Sequence, residues 1–463
     1  MSSIKQLNLF KTERNTNDGF KDPGALGNKK LPMHRWVTWI AGFSAAFTKD
    51  AIEKYLPTPK SDSIILDPFA GVGTTLIESF KKGINTIGFE INPFAALVSQ
   101  VKLESAVVEQ RMLEKAIAGY TCFMGPIERL IDQSISKGDS NEALQSAQRP
   151  KTQPPRNFRS RIPFFSPPVE QKVLFTFDYI DTLPDESIQR IFKMAFGAVM
   201  VSCSNYSYEP SLGSRPGAGR SLIENAAVSQ IVTRKLKEIL ADIKEFQDEI
   251  SMMEKLPKAT VYRQSFFEAL KRIDSSSIDL IITSPPYLNN YHYVRNTRPH
   301  LFWLDLVSQP KDLQELEKEN YGKFWQTVRE LEATNLHFDL PVLQEVIEYV
   351  RNLNQAKGVY GGQGWANYIA TYFNDTYSFM AILKKILKSK GIAVIVVGNS
   401  IIQGIEIKVE EFFSRIAALH EIETEGIYIV RQKRVGSSIV NTGVREKSKQ
   451  KTELYDAAVV LKR

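Results

Sequence analysis

Two turns in this chain carry residue types that can do chemistry. The first, Asp67-Pro68-Phe69-Ala70-Gly71-Val72-Gly73-Thr74-Thr75, follows the strand-like run Ser63 to Asp67 (SIILD) and leads into the helical pattern TLIESFKKG. It therefore lies at the carboxyl end of a strand, where open α/β sheets bind ligands, and its glycines let a ligand approach the backbone. The lysine of a phosphate loop is absent, and Thr74 and Thr75 stand where a dinucleotide site moves toward its third glycine, so neither ATP nor NAD fits well. Glu90 ends the next strand-like run, NTIGFE, where a carboxylate can accept from both hydroxyls of a ribose. A nucleotide-like ligand is the expectation.

The second turn, Ser284-Pro285-Pro286-Tyr287, follows the apolar strand pattern IDLIIT (Ile278 to Thr283) and should open on the same sheet edge. Two prolines fix the backbone and remove two N–H donors, which leaves carbonyls to accept, while Tyr287 offers a ring face for stacking. That combination suits a flat base with an exocyclic amine. N–H bonds donated by the amine to the Ser284 hydroxyl and the Pro285 carbonyl would draw its nitrogen toward tetrahedral geometry and make it nucleophilic. Ser166-Pro167-Pro168 repeats part of the motif, but Val169 follows it and no long apolar strand precedes it, so it reads as a loop.

The elements that must position these turns follow from periodicity. The run from His34 to Tyr55 reads as a helix ended by Pro57 and Pro59, and Pro93 opens another after Glu90, giving a βαβ start and a parallel sheet. The alternation stops over residues 104–258, a mostly helical inserted region interrupted by RPKTQPPRNFRSRIPFFSPP, and resumes with ATVY (Ala259 to Tyr262), a helix at Phe266 to Arg272 and the IDLIIT strand. A second insertion, 307–357, contains the helical run QELEKENYGKFWQTVRELEATN. Residues 358–463 add an amphipathic helix (Trp365 to Leu387), the buried strand IAVIVVG, a helix at Lys408 to His420, and two late strands, GIYIV and AAVVLKR, that fit an antiparallel finish. Residues 1–30 lack periodicity and read as a mobile arm, leaving 31–103 and 259–306 as the two halves of the core that bear the turns.

Composition bounds the rest. At 463 residues the chain exceeds a typical domain of about 150, so one large domain with insertions or two domains is expected. A hydrophobic share of 43% provides a sizeable core, and 59 basic against 52 acidic residues give a net charge of +7, which favours a polyanionic partner. No run approaches the ~18 apolar residues of a membrane span, and MSSIKQLNLFKTERN lacks a signal peptide's apolar stretch, so a cytoplasmic protein with no membrane partner is expected. Cys122 and Cys203 stand alone, which suggests neither a disulfide framework nor a zinc site.

Taken together, DPFAGVGTT, FEINP and TSPPY resemble the S-adenosylmethionine-dependent DNA amino-methyltransferases, which modify cytosine N4 or adenine N6. The resemblance covers about a third of the chain. It implies a Rossmann-like seven-stranded α/β sheet, mostly parallel with an antiparallel late strand, and a target base rotated out of the duplex into the catalytic turn. Carried over by position, Asp67, Phe69, Ala70, Gly71, Gly73 and Thr74 surround the methionine and adenosine parts of S-adenosylmethionine, Glu90 holds the ribose and Asn92 lines the adenine. Phe43 and Ser44 belong to the family's amino-terminal cofactor element, and Ser284, Pro285, Pro286 and Tyr287 form the catalytic turn. The chain departs from the pattern in three ways. The glycine turn precedes SPPY, an order more usual for some adenine enzymes. RQSFFEAL offers Gln264 and Ser265 where the family often has an acidic residue near the adenine. The first insertion falls between the second and third strands, so size and charge alone mark it for target recognition.

Double-stranded DNA is the implied partner, with a cognate restriction endonuclease where the system includes one, and a nucleoid-associated location follows. Arg149, Lys151, Arg156, Arg159 and Arg161, with Phe158 interleaved, suit phosphate contacts from a loop. Ser204 to Arg220 offers a flexible polar surface, and Asn289, Tyr291, His292 and Arg295 follow the catalytic turn closely enough to meet the extruded base. Arg431, Lys433, Arg434 and Arg445 form a further basic cluster near the carboxyl end. Serine at position 284 favours cytosine N4, with adenine N6 the runner-up. An RNA base methyltransferase, which more often carries Asn or Asp before PPY, and a non-catalytic nucleic-acid-binding module are less favoured. Carbon-5 methylation of cytosine needs a nucleophilic cysteine after proline, and neither cysteine follows one.

Overall fold

The computed structural model of the protein describes residues 15–16, 19–39, 42–136, 149–208, 211–288, 292–433 and 453–463. β2 (Ile64–Asp67) lies at the centre of the main sheet because Ile65 and Leu66 have apolar neighbours on both faces and parallel partners on both sides. In spatial order the sheet runs β1 (Asn15–Thr16), β11 (Glu423–Lys433), β12 (Leu454–Lys462), β8 (Leu387–Gly398), β7 (Ile278–Thr283), β2, β3 (Asn85–Phe89) and β6 (Ala259–Tyr262), with β9 (Ser400–Ile402) and β10 (Ile405–Ile407) forming a separate antiparallel pair. Apart from the two-residue edge strand β1 this is the expected set of seven, and β12 alone runs against both of its neighbours. The carboxyl ends of β2, β3, β6 and β7 share one edge, which brings the two turns together.

Helices cover both faces. α1 (Ala45–Tyr55) packs beneath the central strands through Phe47, Ala51 and Ile52. α2 (Thr74–Lys81) and α3 (Pro93–Glu104) share one apolar cluster with the first insertion's helices α4 (Gln110–Ser136), α5 (Pro167–Asp181), α6 (Glu186–Val199) and α7 (Val228–Ile250). The insertion is therefore mostly helical, as expected, but its core is continuous with that of the sheet. Gly197 marks the close approach: a Cβ there would stand 2.6 Å from the Phe94 ring. α8 (Tyr293–Trp303) and α9 (Pro310–Glu319) join this cluster through Leu301, Phe302, Trp303, Leu313 and Leu316, while on the other side lie the short α10 (Trp325–Val328), α11 (Pro341–Arg351), α12 (Gly362–Ile386) and α13 (Val409–Leu419).

Four local expectations are corrected. Only α1 of the run from His34 to Tyr55 is an α-helix. Upstream, Met33 N–H and the Trp36 indole donate to Asp242 of α7 at 2.9 Å each, which draws the chain into a 3-10 turn at His34–Trp36, and Ser44 caps α1 by accepting from Phe47 N–H. Residues 19–30 are packed rather than an unpacked arm: Phe20 is buried and stacks on Phe47 with centroids 4.9 Å apart, and the Asn28 side chain donates to the Phe43 carbonyl. Ser166-Pro167-Pro168 is the start of α5, with proline at the first helical position. The helical run expected from QELEKENYGKFWQ breaks after Glu319, because Gly322 adopts φ +72° before α10 begins.

Candidate functional site

An open cleft lies at the shared strand edge. Phe43, Asp67, Phe69, Ala70, Gly71, Thr74, Glu90 and Asn92 line it, and so do Ser284 and Pro286, so the structure brings the glycine turn and the SPPY turn into one cavity. Glycine is needed at both turn positions, where φ is +52° for Gly71 and +80° for Gly73. Their roles differ. A Cβ on Gly71 would point into space toward the Trp39 indole at 3.5 Å, whereas one on Gly73 would press on Ser99 Oγ at 2.9 Å. Gly73 thus sits against α3, outside the cleft wall, and its contribution is to the packing of the turn.

The turn is held from behind. Ser99 Oγ donates to the Gly71 carbonyl at 2.7 Å, and the fully buried Lys102 Nζ donates to the Val72 carbonyl at 2.8 Å. Burial pulls the Lys102 ammonium down to about 7. A single lysine in the otherwise apolar face of α3 was the available sequence signal for this residue.

The electrostatics of the cleft rest on two carboxyls, the buried Asp67 and the partly buried Glu90. Asp67 Oδ1 accepts from Thr283 Oγ1 at 2.6 Å and from Phe69 N–H at 3.0 Å. Glu90 Oε2 accepts from Gly71 N–H at 2.8 Å and Oε1 from Asn92 N–H at 2.7 Å. Burial raises Asp67 to about 6 and Glu90 to about 7 despite these hydrogen bonds. A carboxylate accepts about four hydrogen bonds, so Glu90 retains capacity for a pair of ribose hydroxyls.

Two of the expected cofactor residues have structural commitments. Asn92 lines the cleft, but its side chain is committed: Oδ1 caps α3 by accepting from Phe94 and Ala95 N–H, and Nδ2 donates to Thr297 Oγ1 at 2.8 Å. Ser44 serves as the cap of α1 and is not part of the cleft wall, while its neighbour Phe43 is.

At the SPPY turn Ser284 Oγ lies 3.2 Å from the Val396 carbonyl, to which it donates, and 3.4 Å from the Tyr287 hydroxyl. Pro285 is buried, and Tyr287 is half-buried against β8, where a Cβ on Gly398 would come within 2.9 Å of its ring. Neither lines the cofactor-sized cleft; they lie just beyond Ser284. Lys433 Nζ stands 4.9 Å from the Tyr287 ring centroid and 2.6 Å from Asp456 Oδ1.

Sequence reasoning missed the opposite wall. Trp39, Phe266, Phe267, Leu316, Glu319, Asn320 and Tyr321 all line the cleft, so the second insertion reaches across to face β6 and its following loop. Gln264 and Ser265 line it as well, although Gln264 Oε1 accepts from Arg272 Nε and Ser265 caps a 3-10 turn.

Among the residues expected to meet DNA, Arg149, Arg156, Arg159, Arg161 and Arg295 are exposed, and Asn289 and Tyr291 lie outside the described residues, as do Arg434 and Arg445. Phe158 does not accompany the arginines into solvent: it packs on Phe164 and Phe302 with centroids 5.6 and 5.8 Å away. The basic loop is anchored beside the cleft, because Asn157 Nδ2 donates to the Ser308 carbonyl, just before α9. The hairpin of β4 (Tyr206–Tyr208) and β5 (Leu212–Ser214) sits on α8, with the Tyr208 hydroxyl donating to the Asn296 carbonyl at 3.1 Å. No described helix is long and apolar enough to cross a membrane.

Comparison with known proteins gives the same picture. Residues 7–100 match the family model for N6/N4 methylases, described as DNA methylase. The Type II methyltransferase M.BsoBI of Geobacillus stearothermophilus is 25% identical over 443 residues, covering 89% of this chain and 82% of that protein. The Type II methyltransferase M.AvaI of Nostoc sp. is 23% identical over 434 residues, covering 89% and 83%. A shorter match, 35% identical over 86 residues, joins 18% of this chain to 16% of the Type II methyltransferase M.MjaII of Methanocaldococcus jannaschii.

Proposed function

We propose that this chain, a DNA amino-methyltransferase of the N4/N6 family with S-adenosylmethionine as its methyl donor, modifies the N4 amine of cytosine within the recognition site of a Type II restriction-modification system. The observation that carries this reading is the common cleft of the glycine turn and Ser284-Pro286. The donor supplies an electrophilic methyl group on a sulfonium. Asp67, Gly71 and Glu90 fit that group: two carboxyls, one buried and one partly buried, balance its cationic charge, and the lack of a side chain on Gly71 admits it to the backbone.

The chain's own residues act on the other reactant. A base rotated from the duplex stacks on Tyr287, and its amine donates to Ser284 Oγ and the Pro285 carbonyl. Those two acceptors localise the nitrogen lone pair and stabilise the positive charge that develops on the amine as its nitrogen takes the methyl group and the sulfonium bond breaks, and the surplus proton then passes to solvent water. Ser284 keeps a lone pair for this because its own proton points toward the Val396 carbonyl. A neutral serine here is the basis for cytosine. The order of the two turns along the chain favours adenine N6 as the competing assignment. The exposed arginines of residues 149–161 and Arg295 contact phosphates, with the first insertion as target-recognition region.

The test uses unmethylated plasmid DNA and tritiated methyl donor. The native chain labels the DNA, and Tyr287→Ala loses most of the transfer while the cofactor Kd by calorimetry stays within about twofold, since a stacking face is worth about 1–3 kcal/mol. Absence of label with the native, cofactor-binding protein overturns the reading.

A further inference from the structure

The cluster of Tyr287, Lys433, Arg431 and Asp456 is not needed to hold the cofactor, and its geometry is unusual for a structural ion pair. Asp456 is the third residue of the antiparallel strand β12, opposite Gly398, and is buried, 3% exposed. Two cations from β11 serve it: Lys433 Nζ lies 2.6 Å from Oδ1, and Arg431 Nη1 lies 4.0 Å from Oδ2, while Arg431 Nε also reaches Asp22 at 3.6 Å. Neutralising one buried carboxylate takes one cation. The nearer of the two, Lys433, also lies over the ring that a target base would stack on, 4.9 Å from its centroid, and it remains about one-third exposed.

We propose that Lys433 is a specificity-determining donor of the acceptor-base pocket, which leaves Asp456 to Arg431 when a base stacks on Tyr287 and donates to the ring nitrogen and carbonyl of that base. The inference rests on the methyltransferase reading above and extends it. An ammonium has donors and no acceptor, so it must face acceptor atoms of the base. With the exocyclic amine directed at Ser284 and Pro285, the neighbouring edge of cytosine presents N3 and then O2, both acceptors. Adenine presents N1 and then a C–H. Lys433 therefore favours cytosine over adenine on the same Tyr287 platform. Arg431 keeps the buried carboxylate paired in the base-bound state, so the move leaves no isolated charge.

The experiment compares native protein, Lys433→Met, Lys433→Arg, and Lys433→Met combined with Asp456→Asn, on unmethylated plasmid DNA, after thermal melts have established that each is folded. The expected result is a loss of at least about tenfold in kcat/KM for DNA in Lys433→Met, with unchanged cofactor Kd and an unchanged salt slope of DNA binding. Lys433→Arg recovers most of that loss. The double variant stays slow, because the missing donor and not the unpaired carboxylate limits it. Three results overturn the proposal: native kcat/KM in Lys433→Met, recovery in the double variant, or a DNA-binding slope reduced by about 1, which would make Lys433 a phosphate contact. Failure of the native protein to methylate DNA would instead defeat the underlying reading, so the two are separable.

Discussion

Thr283 Oγ1 donates a 2.6 Å hydrogen bond to Asp67 Oδ1, joining the last residue of β7 to the last residue of β2. Through this one bond the residue preceding Ser284 is tied to the residue that opens the glycine turn, so the half of the cleft proposed for the donor and the half proposed for the base are registered on each other.

Thr283→Val tests that registration. It keeps the shape of the side chain and leaves a buried carboxyl with one hydrogen bond fewer, which costs about 1–3 kcal/mol of stability. The turnover number falls about tenfold, because the catalytic turn loses its reference to the cofactor turn. Thr283→Ser restores both quantities. Urea unfolding and steady-state methylation report them, and a Thr283→Val enzyme with native kcat would disconnect the bond from catalysis.

The two cleft carboxyls give the protein a defined pH response. Asp67 moves from an ordinary 3.8 to about 6 and Glu90 from 4.5 to about 7, so both bind protons more tightly in the folded state than in the unfolded one. Stability of the free protein therefore falls as pH rises through this window and levels off above it. The cationic donor reverses the balance by favouring the ionised forms. Its Kd should decrease as pH rises from about 6 to 8, and Glu90→Gln should flatten the profile. Calorimetry across that range measures it; a pH-independent Kd for the native protein would remove both carboxyls from the donor site.

The exposed arginines of the first insertion should act through charge alone. Replacing Arg156, Arg159 and Arg161 together by Ala reduces the log-log salt slope of DNA binding by up to ~3 units without altering the melt, since none is buried. Fluorescence anisotropy over a salt series is the measurement. A native slope would confine the cluster to the solubility of the chain.

What was legible in the sequence was local. Asp67-Pro68-Phe69-Ala70-Gly71 and Ser284-Pro285-Pro286-Tyr287 each combine an apolar run with backbone-restricting residues, and both proved to be strand ends on one edge. The late antiparallel pair was legible from two further apolar runs. What was not legible depends on contacts between distant segments. Periodicity from His34 to Tyr55 suits a helix, but Asp242, more than two hundred residues away, captures Met33 N–H and Trp36 and bends the segment so that Trp39 faces the cleft. Asn92 looked available for a ligand until α8 supplied Thr297 as its partner. Tyr321 read as part of one continuous helical run, and only the break at Gly322 turns it toward Phe69 and Phe267.

The identity of the modified base is the central claim, and nucleoside mass spectrometry of plasmid DNA methylated in vitro by the purified chain tests it most directly. Ser284 and Lys433 together predict N4-methylcytosine as the product. N6-methyladenine without N4-methylcytosine would contradict the cytosine assignment.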